Sequence, residues 1–172
     1  FAEWQDYPLT LDPIHIAWLK NAKKSSTAFA VADIEGVEIS HKKFLTGVLL
    51  FSKKIAVYSP EKNVGLLLPS SGGGAIASMA ILALGKTIVN LNFTAGKKAL
   101  QSAAEQAEVK HIYTSRKFLD KMSEKGIELK SFFPKSKLLM LEDIKEEIST
   151  FSRLTTLLKA ILMPVSLIQK NY

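Results

Sequence analysis

The sequence predicts an α/β fold: a three-layer, doubly wound, mainly parallel sheet with helices on both faces, preceded by a β-hairpin and a helix. Three observations carry this. From residue 63 onward strand-like and helix-like segments alternate without a break, the order that builds a parallel sheet with crossover helices. NVGLLL at residues 63–68 is a continuous apolar run ended by Pro69, as expected of a strand buried on both faces. The helix expected over residues 75–84 is apolar almost all round, so most of its sides must be covered.

The elements follow in order. Asp12 can cap a first helix with Pro13 at its first position, with Ile14, Trp18 and Ala22 on one face and an end near Ser25. Residues 28–33 and 37–39 read as a hairpin around the turn residues 33–36. Ser40 caps a long helix whose stripe is Phe44, Val48, Phe51 and Ile55, with Leu45 and Leu49 beside it, stopped by the YSP of residues 58–60. After the strand at 63–68, Gly72, Gly73 and Gly74 open the apolar helix. Residues 87–90 form the next strand. Thr94 caps a helix over residues 96–107 with Leu100, Ala103, Ala104 and Ala107 inward. Strands at 110–114 and 137–141, helices at 116–125 and 142–148, and a last helix from a Ser152 cap to Met163, stopped by Pro164, complete the series.

Composition bounds the function. The chain has 172 residues, 47% hydrophobic and 23% charged, which suits one domain with a real core. There is no cysteine, so a disulfide framework, a thiol nucleophile and a Cys-based zinc site are excluded. No apolar run reaches 18 residues, so no helix is expected to span a membrane. The chain begins at Phe1 and opens without the pattern of a signal peptide; we expect a piece of a longer protein. Net charge is +7, of which residues 110–172 contribute +5. Residues 110–137 alone carry eight Lys or Arg against three acids. That segment, with Lys110, Arg116, Lys117 and Lys121, is the candidate surface for an anionic partner, an acidic protein or lipid headgroups; the plainer reading is a solvated lysine-rich face.

Motifs for chemistry are sparse. SSGGG at residues 70–74 lies between a strand and a helix, where backbone N–H groups can meet a phosphate. It lacks the lysine that a P-loop requires directly after it, and no GxGxxG is present. His15, His41 and His111 have no metal-site spacing; His41 is expected on an exposed turn. Glu142, Asp143, Glu146 and Glu147 cluster on a short helix, two of them in the first turn where the macrodipole favours acids. Asn90, Asn92 and Thr94 are the more distinctive set, since they fall where open α/β sheets bind ligands, at a strand's carboxyl end; the plainer reading is turn and cap chemistry alone.

Two segments carry a resemblance. ISHKKFL at residues 39–45 resembles the first motif of the AMP-binding, adenylate-forming acyl synthetases, usually written LTYxEL, with His41 in place of tyrosine and Lys43-Phe44 in place of Glu-Leu. LALGKTIVNLN at residues 82–92 resembles their second motif, LKAGxxxVPxN, with Lys86 after Gly85 and Leu91 in place of proline. NFTAG at 92–96, YTSRKFLD at 113–120 and LMLED at 139–143 are similar to one branch, the bifunctional bacterial 2-acylglycerophosphoethanolamine acyltransferase/acyl-acyl-carrier-protein synthetases. The likeness covers about residues 26–145.

The resemblance implies a parent ligase that activates a fatty acid with ATP and Mg²⁺ as an acyl-adenylate. It passes the acyl group to acyl carrier protein and lysophospholipid at the cytoplasmic face of the bacterial inner membrane. The family's phosphate-gripping third motif, YTSGTTGxPK, is not found through Tyr172. The chain is then expected to be the first subdomain of the large lobe, covered in the parent by a nucleotide-binding subdomain. It would carry no catalytic residue, metal or cofactor of its own, and residues 150–172 would be a peripheral apolar helix that packs on the domain, meets the neighbouring subdomain or rests on a membrane. The competing reading is a stand-alone doubly wound regulatory domain with a basic face. A receiver is disfavoured because no acidic cluster follows the strands. A nucleic-acid module is disfavoured because aromatic–basic interleaving is missing.

Overall fold

The protein is described by a computed structural model covering residues 12–33 and 36–170. It is an α/β structure with a four-stranded, wholly parallel sheet and helices on both faces. Helix α1 (Ile14–Lys24) leads into a hairpin of β1 (Phe29–Ala32) and β2 (Glu38–Ser40), then α2 (His41–Tyr58). The sheet is built by β3 (Asn63–Leu66), α3 (Gly72–Ala83), β4 (Thr87–Asn90), α4 (Lys97–Gln106), β5 (His111–Thr114), α5 (Arg116–Ser123) and β6 (Lys137–Met140). Helices α6 (Leu141–Glu146), α7 (Thr150–Leu162) and α8 (Val165–Lys170) follow.

Strand order is β4-β3-β5-β6. The chain leaves β3 for β4 on one side, then returns to place β5 on the other, so the direction of winding switches between β3 and β5. Register is continuous across the sheet: Gly65 pairs with Val89 on one side and with Ile112 on the other, and Ile112 pairs with Leu138. The period of two along each strand divides the core. Val64, Leu66 and Tyr113 meet α2, α3 and Ile144 of α6 on one face. Leu67 and Ile112 meet Leu100 and Ala104 of α4 and Phe118, Leu119 and Met122 of α5 on the other. A 3-10 turn, Leu129–Phe132, closes that second layer with buried Leu129 and Phe133.

Close approach explains two glycines. A Cβ on Gly65 would stand 2.7 Å from Ile112 Cγ1 and 2.8 Å from Val109 Cγ1, and one on Gly47 would stand 2.9 Å from Ile76 Cδ1. The first lets β3 lie under the α4–β5 turn; the second lets α2 and α3 pack at short range.

Several local expectations are corrected. Asp12 does not cap α1; the helix starts after Pro13, and Asp12 pairs with Lys20 at 2.6 Å. Leu19 and Ala22 are the buried residues of α1, while Ile14 is 66% exposed. The hairpin forms its own two-stranded sheet and does not join the parallel one. Of its turn, Ile34 and Glu35 lie outside the described residues. Helix α3 begins at Gly72, capped by Ser71, rather than near Ala75. Thr94 caps no helix, because its N–H and hydroxyl both donate to Asn92 Oδ1; Gly96, at φ +80°, precedes α4. Ala103 is exposed. Ser149, not Ser152, caps α7; the helix ends at Leu162, before Pro164 as expected, and a further short helix, α8, follows the proline.

A third helical layer lies outside α2. Leu19 of α1, Leu45 and Leu49 of α2, Ala160 of α7 and Ile168 of α8 form one buried cluster. Lys23 of α1 donates to the carbonyls of Ala160 and Ile161 at 2.8 and 2.7 Å, satisfying oxygens that the end of α7 leaves open. Burial lowers the Lys23 pKa from its ordinary value by desolvation.

Candidate functional site

The carboxyl edge of the sheet, at the switch between β3 and β5, is where this topology gathers polar groups. Leu67 donates its N–H to Tyr113 O, and the Thr114 hydroxyl donates back to Leu67 O at 2.8 Å in the buried interior. Those bonds fix the two strand ends side by side. From them spring the segments that carry Ser70, Ser71 and the glycines on one side, and Ser115 and Arg116 on the other.

Both helices that start here have occupied N-termini. At α3, Ser71 Oγ accepts the Gly74 N–H at 3.1 Å, and the Asp33 carboxylate accepts the Gly72 N–H at 3.2 Å. At α5, Ser115 Oγ accepts the Phe118 N–H at 3.1 Å, and Glu142 Oε1 accepts the Arg116 N–H at 3.0 Å. A carboxylate is favoured at such a position by the macrodipole, and it repels a phosphate that would seek the same N–H groups. The residues present therefore do not fit a bound ATP and Mg²⁺, which the resemblance assigns to the parent protein and not to this chain. Among the described residues no group of three His, Asp or Glu side chains comes together as a metal site. SSGGG is a capped strand–helix connection with an internal anion.

The predicted partner-binding residues divide into two places. Arg116 opens α5 at the carboxyl edge, and its guanidinium pairs with the Asp143 carboxylate, so its charge is offset. Lys117 and Lys121 are exposed on the same helix, one turn apart. Lys110 lies at the other end of β5 and lines a groove of about 360 Å³ with Glu105, Glu108, Val109, Phe133 and Lys135. Strand geometry puts Lys110 and Arg116 roughly 18 Å apart, so the four residues are not one cluster. The groove belongs to the amino end of the sheet and shares nothing with the carboxyl edge.

Asn90 and Asn92 are exposed at the carboxyl edge as expected, with Asn92 committed to the turn that holds Thr94. His41 is half-buried rather than on an exposed turn, and its Nδ1 is enclosed with no hydrogen-bond partner. His111 Nδ1 lies 2.8 Å from Glu61 Oε1 at the amino end of β5. The acidic cluster is structural: Glu142 caps α5, Asp143 pairs with Arg116, and Glu147 joins Lys54 and Tyr58 of α2. The bonds from those two partners lower the Glu147 pKa. Sequence reasoning missed Asp33 and Glu142 as caps of helices that start 39 and 26 positions away. Only their acidic character at turn and helix-start positions hinted at such roles.

No protein-family profile matches the chain. Its fold is similar to solved structures of adenylate-forming ligases. One is o-succinylbenzoate CoA synthetase from Bacillus subtilis in complex with ATP and magnesium, with TM-score 0.62, 16% identity and 76% of this chain covered. A second is a benzoate CoA ligase from Burkholderia xenovorans, with TM-score 0.64, 12% identity and 80% covered. A third is a nonribosomal peptide synthetase bound to α-methyl-L-serine-AMP, with TM-score 0.62, 15% identity and 80% covered. The chain spans 34%, 29% and 15% of these proteins respectively. At such identities the likeness is one of fold: a parallel sheet flanked by helices, with a hairpin before it.

Proposed function

We propose that this chain is the framework subdomain of an ATP-dependent acyl-adenylating ligase. In that reading, the parent protein joins a fatty acid to AMP, with release of pyrophosphate, and passes the acyl group to the thiol of acyl carrier protein and then to lysophospholipid. The observation that carries it is positional. EISHKKF runs from β2 through the Ser40 cap into α2, and LALGKTIVNLN runs from the end of α3 through β4 to the carboxyl edge. Both motif-like segments fall on elements of a fold shared with ligases whose structures hold ATP or an adenylate.

The chain's own residues do the work of a scaffold. Thr114 and Leu67 fix the strand ends; Asp33, Ser71, Ser115 and Glu142 fill the helix N-termini. ATP and Mg²⁺ would be held by the neighbouring subdomain. The face of α5 with Lys117 and Lys121 would meet the acidic carrier protein, with Arg116 at its border. The parent would work at the cytoplasmic face of the bacterial inner membrane; among the described residues no helix is long and apolar enough to cross a membrane.

The test is fatty-acid-dependent exchange of pyrophosphate into ATP, run on the product of the natural reading frame that encodes this chain and on the 172-residue chain alone. The full product should exchange and the chain alone should stay at background. A full product with no fatty-acid dependence would refute the ligase reading, and turnover by the chain alone would refute its role as framework.

A further inference from the structure

The groove at the amino end of the sheet combines two features that folding alone does not require. It runs between the last turns of α4 and residues 132–136, over a floor of buried Ala104, Val109 and Phe133. Its volume, about 360 Å³, stands at the lower end of the range of ligand pockets. Of its four charged side chains, Glu105 and Lys135 pair with each other at 3.1 Å. The side chains of Glu108 and Lys110 are exposed, and neither makes a hydrogen bond or ion pair with a described residue. That is the first feature: two unlike charges on the lip of an apolar groove, both uncommitted.

The second is in the backbone. Glu108 stands at φ +51°, and among the described residues it is the one non-glycine residue at positive φ. It closes α4: the Glu108 N–H donates to Glu105 O at 3.0 Å and the Val109 N–H to Ala104 O at 2.9 Å, the paired bonds of a Schellman end. Glycine takes that conformation without strain, as Gly85 does after α3 and Gly126 after α5. At α4 the strain is kept on a residue whose side chain lines the groove, which points to a use for that side chain.

Glu108 and Lys110 are two positions apart, so their Cα atoms lie no more than about 7 Å from each other. Opposite charges that close match a ligand with an ammonium and a carboxylate on one carbon. A singly charged ligand would meet a like charge beside the opposite one, and two lysines against two glutamates leave no net field to draw it in. The wall above the floor carries Phe132 and Phe133, with ring centroids 6.5 Å apart, and aromatic walls favour an aromatic guest.

We propose that this groove binds a free aromatic α-amino acid, with its ammonium on Glu108, its carboxylate on Lys110 and its ring against Val109, Phe132 and Phe133. The site lies at the opposite end of the sheet from the carboxyl edge, so the proposal stands apart from the ligase reading.

Titration of the isotope-labelled 172-residue chain with L-phenylalanine, followed by amide NMR, tests it. Shifts should concentrate in residues 101–110 and 132–136, with a Kd of about 1 mM, as expected for so small a ligand. 3-Phenylpropionate lacks the ammonium and phenethylamine lacks the carboxylate; each should bind roughly fivefold more weakly. Glu108→Gly should raise Tm, because it relieves the left-handed position, and weaken L-phenylalanine binding by roughly the same factor as loss of the ammonium. Gained stability with lost affinity separates a ligand role from a folding one. Lys110→Met should weaken binding with Tm unchanged. Absence of shifts near the solubility limit of L-phenylalanine overturns the proposal, as do shifts that centre elsewhere on the chain. Either analogue binding as tightly as the zwitterion, or full affinity in the Glu108→Gly variant, overturns it too.

Discussion

Replacing Tyr113 by Phe tests the core by removing one oxygen. Tyr113 is fully buried at the middle of the sheet, and its hydroxyl lies 2.9 Å from Ser59 Oγ, itself fully buried at the end of α2. The substitution leaves the ring packing intact and the Ser59 hydroxyl enclosed without this partner. At pH 7 that should cost about 1–2 kcal/mol, a fall in Tm of roughly 3–6 °C for a chain of this size. Alkaline pH then separates the wild type from the variant. Burial, first of all, pushes the Tyr113 pKa up to about 12, against an ordinary value near 10. Between these values the unfolded chain loses a proton that the folded chain keeps, so stability falls as pH rises. At pH 11 the loss is about 1.4 kcal/mol and reaches about 2.7 kcal/mol well above pH 12. The phenylalanine variant has no proton to lose at this position. The gap between the two proteins, read from urea denaturation, should therefore shrink to near zero by pH 11, with lysine deprotonation cancelling in the difference. An unchanged gap from pH 7 to pH 11 would refute the reasoning, since the hydroxyl would then titrate as if in water.

Other outcomes follow from single contacts. Gly65→Ala should destabilise by about 1–3 kcal/mol, measured by thermal unfolding, because the new Cβ would meet Ile112 and Val109 inside 3 Å. Lys23→Met should raise amide hydrogen exchange in residues 160–170 more than in β3 or β5, since it removes the donor to Ala160 O and Ile161 O. Under the proposed function, Lys117→Glu with Lys121→Glu in the parent protein should raise the apparent KM for acyl carrier protein several-fold at low salt, where attraction is strongest, with kcat unchanged. An unaltered KM would leave that face merely solvated.

The sheet was legible in the sequence because burial on both faces writes itself locally. The run at residues 63–68 is short, apolar and bounded by turn chemistry, whereas the edge strand at 87–90 is only half-buried and is marked by the alternation of elements around it. Helix ends were less legible. Thr94 and Ser152 satisfy the compositional rule for a cap, yet Thr94 turns back to Asn92 and Ser149 reaches α7 first; several residues competed for each role within a few positions, and packing chose. The site was least legible. Asp33 and Glu142 act on helices far along the chain, and no local pattern encodes a partner that only the fold brings near. A stripe of Leu154, Leu157, Leu158, Ile161 and Leu162 was visible in the sequence, but its direction was not: Leu157 is half-buried and the other four are exposed, and only the small Thr156 and Ala160 show which side is turned inward.

The carboxylate of Asp33 beneath the first turn of α3 has a consequence for how this domain meets its ionic surroundings. The hairpin that carries Asp33 shares no strand pairing with the parallel sheet; this bond ties it to the start of α3, beside the packing of Ala30, Val31 and Ile39 against α2 and α3. The fold thus supplies its own counter-ion where a dissolved anion would otherwise sit. Phosphate or sulfate added to the buffer finds the position filled, and the order of anions that protects phosphate-binding loops should have no purchase here. Asp33→Asn, which keeps the acceptor and drops the charge, would turn a self-neutralised helix start into one that solution anions can stabilise.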